Sequence, residues 1–153
     1  MMQDIQKFKS ALHGYGLKLT PQRMAVFSVL SKTNEHPDAD SIFTEVKKIL
    51  PSVSLATVYS TLKSLKKIGI VYEVGSLCES KHFDGNVEPH LHLICLDCNK
   101  IEDVHGMGRK DLRHLRESVA RATDYDIVRS CLSFYGYCQI CAQKKTRKAA
   151  KGR

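Results

Sequence analysis

Cys95-Leu96-Asp97-Cys98 and Cys138-Gln139-Ile140-Cys141 are two C-x-x-C knuckles, each able to put a pair of thiolates on one ion. Together they complete a four-thiolate tetrahedral set. Such a site leaves no coordination position open, so it points to structural zinc rather than to catalysis. A redox dithiol would follow a strand and open a helix inside a βαβ unit, a context that neither knuckle has. Unliganded cysteines are the plainer alternative. Cys78 and Cys131 stand alone and are expected to be ordinary half-buried residues. A second constellation is His90-Leu91-His92. On a strand, side chains alternate, so both imidazoles face one way while Leu91 and Leu93 face the other. His-x-His is a weak sign of metal on its own. Asp84, Asp103 and His36 are further candidate nitrogen and oxygen ligands, and spacing alone does not bring the five together.

The elements that must position these groups follow from periodicity. Ile5, Phe8 and Leu12 recur at helical spacing before Gly14-Tyr15-Gly16. Thr20-Pro21 is an N-cap followed by proline at the first helical position, opening a helix that buries Met24, Phe27 and Leu30. A third helix starts near Asp38 with Ile42, Val46 and Ile49 as its stripe, and Pro51 closes it. Ser54 caps a fourth, Leu55 to about Ile68, with Leu55, Val58, Leu62, Leu65 and Ile68 on one face and Gly69 as its stop. Ile70–Val74 and about Leu77–Phe83, around Gly75-Ser76, read as a hairpin. Four helices and a hairpin in this order make a winged helix-turn-helix.

After a hinge at about 84–89 the pattern changes to a strand (His90–Cys95), a turn and a second strand (Lys100–Val104). A helix (about Arg109–Thr123, with Leu112, Leu115 and Val119 inward) and a long strand (Tyr125–Tyr135) follow. The fold class is therefore α+β: residues 1–84 a winged-helix DNA-binding domain, 85–143 an α/β domain, and 144–153 a basic tail expected to be disordered.

The chain has 153 residues, 42% of them hydrophobic and 26% charged, which suits one ordinary domain or two small ones. The net charge of +8 makes an acidic polymer a reasonable partner. The excess is uneven, at +3 over residues 1–84, −1 over 85–143 and +6 over 144–153. No apolar run is long enough for a membrane span and the N-terminus has no signal-peptide core, so a cytoplasmic protein is expected. Clustered cysteines in that compartment more often hold metal than form disulfides. On the fourth helix, Ser54, Thr57, Tyr59 and Ser60 can bond phosphates or base edges, and Ala56, Thr57 or Tyr59 can pack on thymine methyls. Lys63, Lys66 and Lys67 suit phosphate contacts, and a merely solvated amphipathic face is the alternative.

Several ordered motifs carry a resemblance. They are Leu19-Thr20-Pro21-Gln22-Arg23, His36-Pro37-Asp38-Ala39-Asp40 and Ser54-Leu55-Ala56-Thr57-Val58-Tyr59 with Leu62, followed by His90-x-His92-Leu93-Ile94-Cys95-x-x-Cys98 and Tyr135-Gly136-x-Cys138-x-x-Cys141. From about residue 4 to 143 the chain resembles the ferric-uptake-regulator (Fur) family. The resemblance implies a homodimeric, metal-dependent transcriptional repressor that binds pseudo-palindromic operator DNA, with the C-terminal domain serving dimerisation. It makes the fourth helix the recognition helix, with Tyr59 reading bases and Lys18 contacting the backbone or minor groove.

The same resemblance places a regulatory site at His36, Asp84, His90, His92 and Asp103. Aspartate at 103, and the short step from Asp84 to His90, resemble the peroxide-stress branch (PerR). Iron-uptake members commonly have Glu where Asp84 and Asp103 stand. Leu91 and Ser130 occupy positions where such members have further ligands, which argues against a third metal site. Three imidazoles and two carboxylates suit iron(II) or manganese(II) and leave a position open. The expected complement is one structural Zn2+ and one regulatory Fe2+ or Mn2+ per subunit. One ion spanning both domains would couple metal binding to the spacing of the recognition helices.

The family's peroxide chemistry implies oxidation of a ligand histidine, His36 or His90, and release of DNA. Three alternatives remain: an iron, manganese or zinc uptake regulator sensing occupancy alone, a thiol switch at the knuckles, and a zinc enzyme. The last lacks H-x-E with P-C-x-x-C, H-E-x-x-H, or any nucleophile with a partnered base, so neither an enzyme nor a small organic substrate is expected.

Overall fold

In a computed structural model of the chain, the described residues are 2–33, 35–75, 81–88, 90–104, 109–128, 130 and 132–151, with the side chains of 2–4, 109 and 146–151 left aside. They form two compact units, Met1–Val87 and Glu88–Arg153.

In the first unit, α1 (Met2–Gly14), α2 (Pro21–Leu30), α3 (Ala39–Ile49) and α4 (Leu55–Lys67) precede a two-stranded antiparallel wing, β1 (Tyr72–Val74) and β2 (His82–Asp84). Three helices start on a side-chain cap. Thr20 accepts from the Arg23 amide at 3.3 Å, Asp38 from Ser41 at 2.8 Å, and Ser54 from Thr57 at 3.2 Å. Each bond satisfies an amide that the helix itself leaves without a carbonyl. The C-terminus of α4 turns on Gly69, whose φ of +75° is open to glycine at little cost. There the Ile70 amide reaches back to the Leu65 carbonyl and the Gly69 amide to Lys66. The same turn explains a shorter wing strand than the Ile70–Val74 expected: Ile70 is taken up by the helix cap, so pairing begins at Tyr72.

The core of this unit joins Phe8, Leu12, Val26, Leu30, Ile42, Val46, Val58, Leu62, Leu65 and Phe83, with the Phe8 and Phe27 rings stacked at 4.2 Å. Ile49 lies outside the stripe expected of it and is exposed, as is the edge residue Leu55. Among the described residues, the second wing strand is His82–Asp84, where a strand over about Leu77–Phe83 was expected. Residues 77–80, including Cys78, lie outside the described residues.

Glu73 on β1 ties the wing to α4. Its carboxylate takes a short salt bridge from Lys66 and another from Lys81 at 3.3 Å. The Lys66 bond holds its pKa below the ordinary carboxylate value of 4.5. A depressed carboxylate stabilises the fold above its ordinary pKa and loses that contribution as pH falls through the folded value. Glu73→Gln is expected to cost below about 1 kcal/mol near neutral pH, since the lysines are solvent-screened. Denaturant melts of the two proteins should converge on acidification below the ordinary value.

The second unit holds a three-stranded sheet in the order β4 (Ile101–Asp103), β3 (Leu91–Cys95), β5 (Leu132–Gly136), with α5 (Arg109–Ala122) and α6 (Gln139–Lys151). β3 pairs antiparallel with β4 and parallel with β5. The last strand is shorter than the Tyr125–Tyr135 expected. Among the described residues of that segment, Leu132 to Gly136 pair along the five residues of β3, and Tyr125 and Val128 are left exposed. On α5, Leu112 is buried, but Leu115 and Val119, expected inward, are 48% and 43% exposed, because the apolar stripe is wider than what its own unit covers.

The basic segment 144–153, expected to be disordered, instead continues α6 through Lys151. Gln, Lys, Arg and Ala are strong helix formers, and low apolar content argues against a core rather than against a helix. Cys131 lies outside the described residues. Among the described residues, no helix is long and apolar enough to cross a membrane.

Candidate functional site

The knuckles are built by tight turns at the ends of β3 and β5. Asn99, at φ +57°, lets its amide reach the Cys95 carbonyl at 2.9 Å, while the Cys95 amide bonds Lys100 O and the Leu96 amide bonds Gly136 O. The second knuckle follows β5 and opens α6, unlike the context expected of it, although among the described residues no strand follows α6 to close a βαβ unit. The four Sγ atoms of Cys95, Cys98, Cys138 and Cys141 lie within 4.8 Å of one another, with Cys98 and Cys138 at 3.9 Å. Tetrahedral Zn–S bonds of about 2.3 Å place sulfurs roughly 3.8 Å apart, so the set fits zinc. Backbone amides of Cys138, Cys98 and Asp97 pull the Cys95 thiol down to about 6, with the Cys138 amide 3.3 Å from its sulfur. Burial pushes the Cys141 thiol upward. Thiols this crowded resist joint deprotonation by like-charge repulsion, and a dication removes that cost.

On the neighbouring edge of the same sheet, register places His92 opposite Asp103 across the β3/β4 ladder. His90 Nε2 and His92 Nε2 lie 3.3 and 3.7 Å from the same Asp103 Oδ1, and the two rings are 4.4 Å apart. His92 is 2% exposed. The Nδ1 of His90 is 2.7 Å from the Glu88 carbonyl oxygen, which only accepts, so that nitrogen carries the hydrogen. When the ring is neutral, the Nε2 lone pair then faces a carboxylate. Such an arrangement calls for a cation, and a nitrogen and oxygen donor set suits iron(II) or manganese(II).

The remaining predicted ligands belong to the first unit. His36 and Asp84 are both buried there, and Asp84 Oδ1 accepts from the Asn86 amide at 2.7 Å. The segment carrying His36 is stitched to β2: Phe83 N–H donates to Pro37 O at 2.9 Å, Asp38 bridges His82, and His82 Nδ1–H donates to His36 O at 2.7 Å. Sequence reasoning missed His82. The alternation His82-Phe83-Asp84 sets His82 on the face of β2 that carries Asp84, but nothing in the sequence pairs it with His36.

Of the predicted DNA contacts, Ala56, Tyr59, Ser60 and Lys63 are exposed on α4, Thr57 is half-buried, and Lys18 is exposed ahead of α2. Ser54 is spent as the N-cap, and the Ser60 hydroxyl donates to Thr57 O at 3.0 Å.

A winged helix coupled to an α/β unit with sulfur and nitrogen–oxygen ligand clusters defines a class, DNA-binding regulators that respond to metal ions. The profile of the ferric uptake regulator family matches residues 14–135, and the chain belongs to that family. Its members are dimeric, DNA-binding transcription regulators that carry metals, not enzymes. The chain is 33% identical over 141 residues, 92% of each chain, to the peroxide-responsive repressor PerR of Staphylococcus epidermidis. It is also similar to the Campylobacter jejuni peroxide stress regulator, with TM-score 0.70, 30% identity, and 90% and 98% of the two chains covered. The Helicobacter pylori ferric uptake regulator shares the fold, with TM-score 0.71 at 20% identity over 92% and 93% of the two chains.

Proposed function

We propose that the protein is a peroxide-responsive repressor that holds operator DNA while its regulatory site carries metal, and lets go when a ligand histidine is oxidised. The observation that carries this reading is the cluster of His90, just ahead of β3, with His92 and Asp103 on the paired strands β3 and β4, nitrogen and oxygen donors with aspartate as the carboxylate. Similarity to peroxide-responsive relatives supports it.

In this reading His36 and Asp84 would complete the ligand set, so that metal binding would hold the DNA-binding domain (1–84) to the dimerisation domain (85–143). The clamp selects one spacing of the two recognition helices in a homodimer, matched to pseudo-palindromic half-sites. Lys18, Ser54, Ala56, Thr57, Tyr59, Ser60 and Lys63 form the DNA-contacting set, with Ser54 acting by shaping the helix start. The exposed apolar residues Leu115 and Val119 lie on the surface that a second copy covers. Zinc at Cys95, Cys98, Cys138 and Cys141 stays in place throughout. A regulator that reads operator DNA works in the cytoplasm.

Bound iron(II) would supply redox catalysis, lending peroxide an electron that the ring gives back so that the iron undergoes no net change, whereas manganese(II) would support DNA binding without that reaction. The net change is one ring C–H of His36 or His90 becoming a carbonyl, with its hydrogen relocated to nitrogen, as one peroxide becomes one water. Delocalising the ring lone pairs into the new carbonyl weakens the imidazole as a ligand, so the clamp opens.

Peptide mass spectrometry after a small peroxide dose, with DNA binding followed in parallel, tests the proposal. The iron-loaded protein is expected to gain one oxygen on the peptide holding His36 or His90 and to lose operator binding, and the manganese-loaded protein to do neither. Unmodified histidines with DNA binding retained would make it an uptake regulator sensing occupancy alone. Oxidised cysteines with zinc release would make it a thiol switch.

A further inference from the structure

We propose that His82 is a positioning residue for His36, holding the DNA-binding domain's half of the regulatory site in shape through its ring Nδ1–H. The inference rests on the reading of His36 as a regulatory ligand. No motif of the sequence pointed to His82. Its role follows from where β2 runs.

β2 ends at Asp84, itself a candidate ligand, and its first residue is His82. Alongside it passes the segment His36-Pro37-Asp38, which belongs to no helix or strand until α3 begins at Ala39. Pro37 has no N–H to offer, so its own link to β2 runs through its carbonyl, which accepts from the Phe83 amide at 2.9 Å. The next carbonyl back, that of His36, accepts from a side chain instead, with His82 Nδ1 at 2.7 Å. The carbonyl can only accept, so this contact fixes the hydrogen on Nδ1. Asp38 then bridges His82 and caps α3 by accepting from the Ser41 amide at 2.8 Å.

The peptide carrying His36 is thereby pinned between the N-cap of α3 and the strand that delivers Asp84. The His36–Pro37 peptide plane sets the direction of the His36 Cα–Cβ bond. A rotation of that plane would swing the buried ring away from any ion it shares with Asp84. Partners that hydrogen-bond the ring of a metal-binding histidine typically change metal affinity 10–100-fold on removal, and the His82 bond acts further back, on the His36 backbone carbonyl, whose carbon is three bonds from the ring.

The test uses the full-length, zinc-loaded protein and manganese(II), with free manganese read from its electron paramagnetic resonance signal. Zinc content and melting temperature are recorded alongside. His82→Asn keeps an N–H donor near the Nδ1 position, His82→Gln moves it one methylene outward, and His82→Leu removes it. The expected result is manganese affinity within about threefold of the parent for His82→Asn and about 10–100-fold weaker for His82→Leu, with His82→Gln between them and one zinc per chain throughout.

Parental affinity in His82→Leu would overturn the proposal, as would equal weakness in His82→Asn and His82→Leu. If the leucine variant fails to fold, the Asn and Gln pair decides, because a donor-position effect separates them and a merely polar requirement does not. His36→Ala serves as the reference. Unchanged manganese affinity in that variant would overturn the reading of His36 as a ligand, and this inference with it. Weakened His36→Ala beside an unaffected His82→Leu would overturn the positioning role alone.

Discussion

Cys138→Ser is expected to abolish zinc retention and unfold the second unit while the winged helix remains folded. The asymmetry follows from how the two units are packed. The large apolar cluster, from Phe8 through Leu65 to Phe83, belongs entirely to the first unit. Among the described residues of the second, the buried apolar set is Leu91, Ile94, Cys95, Leu112 and Cys141, and two of those five are the thiols themselves. So small a core cannot offset the conformational entropy of ordering its chain without a cross-link.

On the proposed reading, that cross-link is a zinc ion held by Cys95, Cys98, Cys138 and Cys141. It joins the end of β3 to the start of α6, and structural zinc contributes on the order of 10–16 kcal/mol at neutral pH, comparable to the whole stability of an ordinary domain. Serine supplies a poorer donor, since its hydroxyl stays protonated where a thiol gives a thiolate, and leaves only three thiolates for the ion. Zinc content by mass spectrometry and amide hydrogen exchange resolve the outcome. Protection should be lost along β3 and β5 and kept along α2, α3 and α4. A zinc-free variant with β3 still protected would show that packing alone holds the unit.

The second large effect is expected at His92. Replacing it with alanine should weaken manganese binding at the regulatory site at least about 100-fold and make operator binding indifferent to manganese, with one zinc per chain retained. His92 is the most enclosed of the donors, at 2% exposure, and β3/β4 register holds it opposite Asp103 rather than leaving it to find the ion by side-chain motion. Removing it takes away a preorganised donor and leaves a hole that water fills. Zinc should survive because Cys95, three residues further along the same strand, is fixed by its own bonds to Lys100 and by the amide of Cys138. Manganese titration with a parallel DNA-binding measurement separates the cases. Metal-stimulated DNA binding in His92→Ala would show that this imidazole is not a regulatory ligand.

Much was legible in the sequence because local rules governed it. Thr20, Asp38 and Ser54 each precede a helix and each caps it, and Gly69 ends α4 with the left-handed turn that glycine tolerates best. The α+β class follows from that order of elements. The two C-x-x-C spacings identified four converging thiols, since a knuckle is a local structure and only one further closure was needed. The family was legible from the ordered motifs, which no single element could have carried.

Tertiary structure decided what depends on partners distant in sequence. The length of β5 among the described residues follows β3, since a strand ends where its ladder partners end, and the sequence from Tyr125 onward could not report that. The exposure of Leu115 and Val119 was invisible because an amphipathic stripe states that something covers it, not what does. The helix through Lys151 was misread because composition measures burial potential and not backbone preference. The place of His82 came only from the bridge between Asp38 and β2, two segments more than forty residues apart, because a hydrogen bond to a backbone carbonyl leaves no side-chain motif at its accepting end.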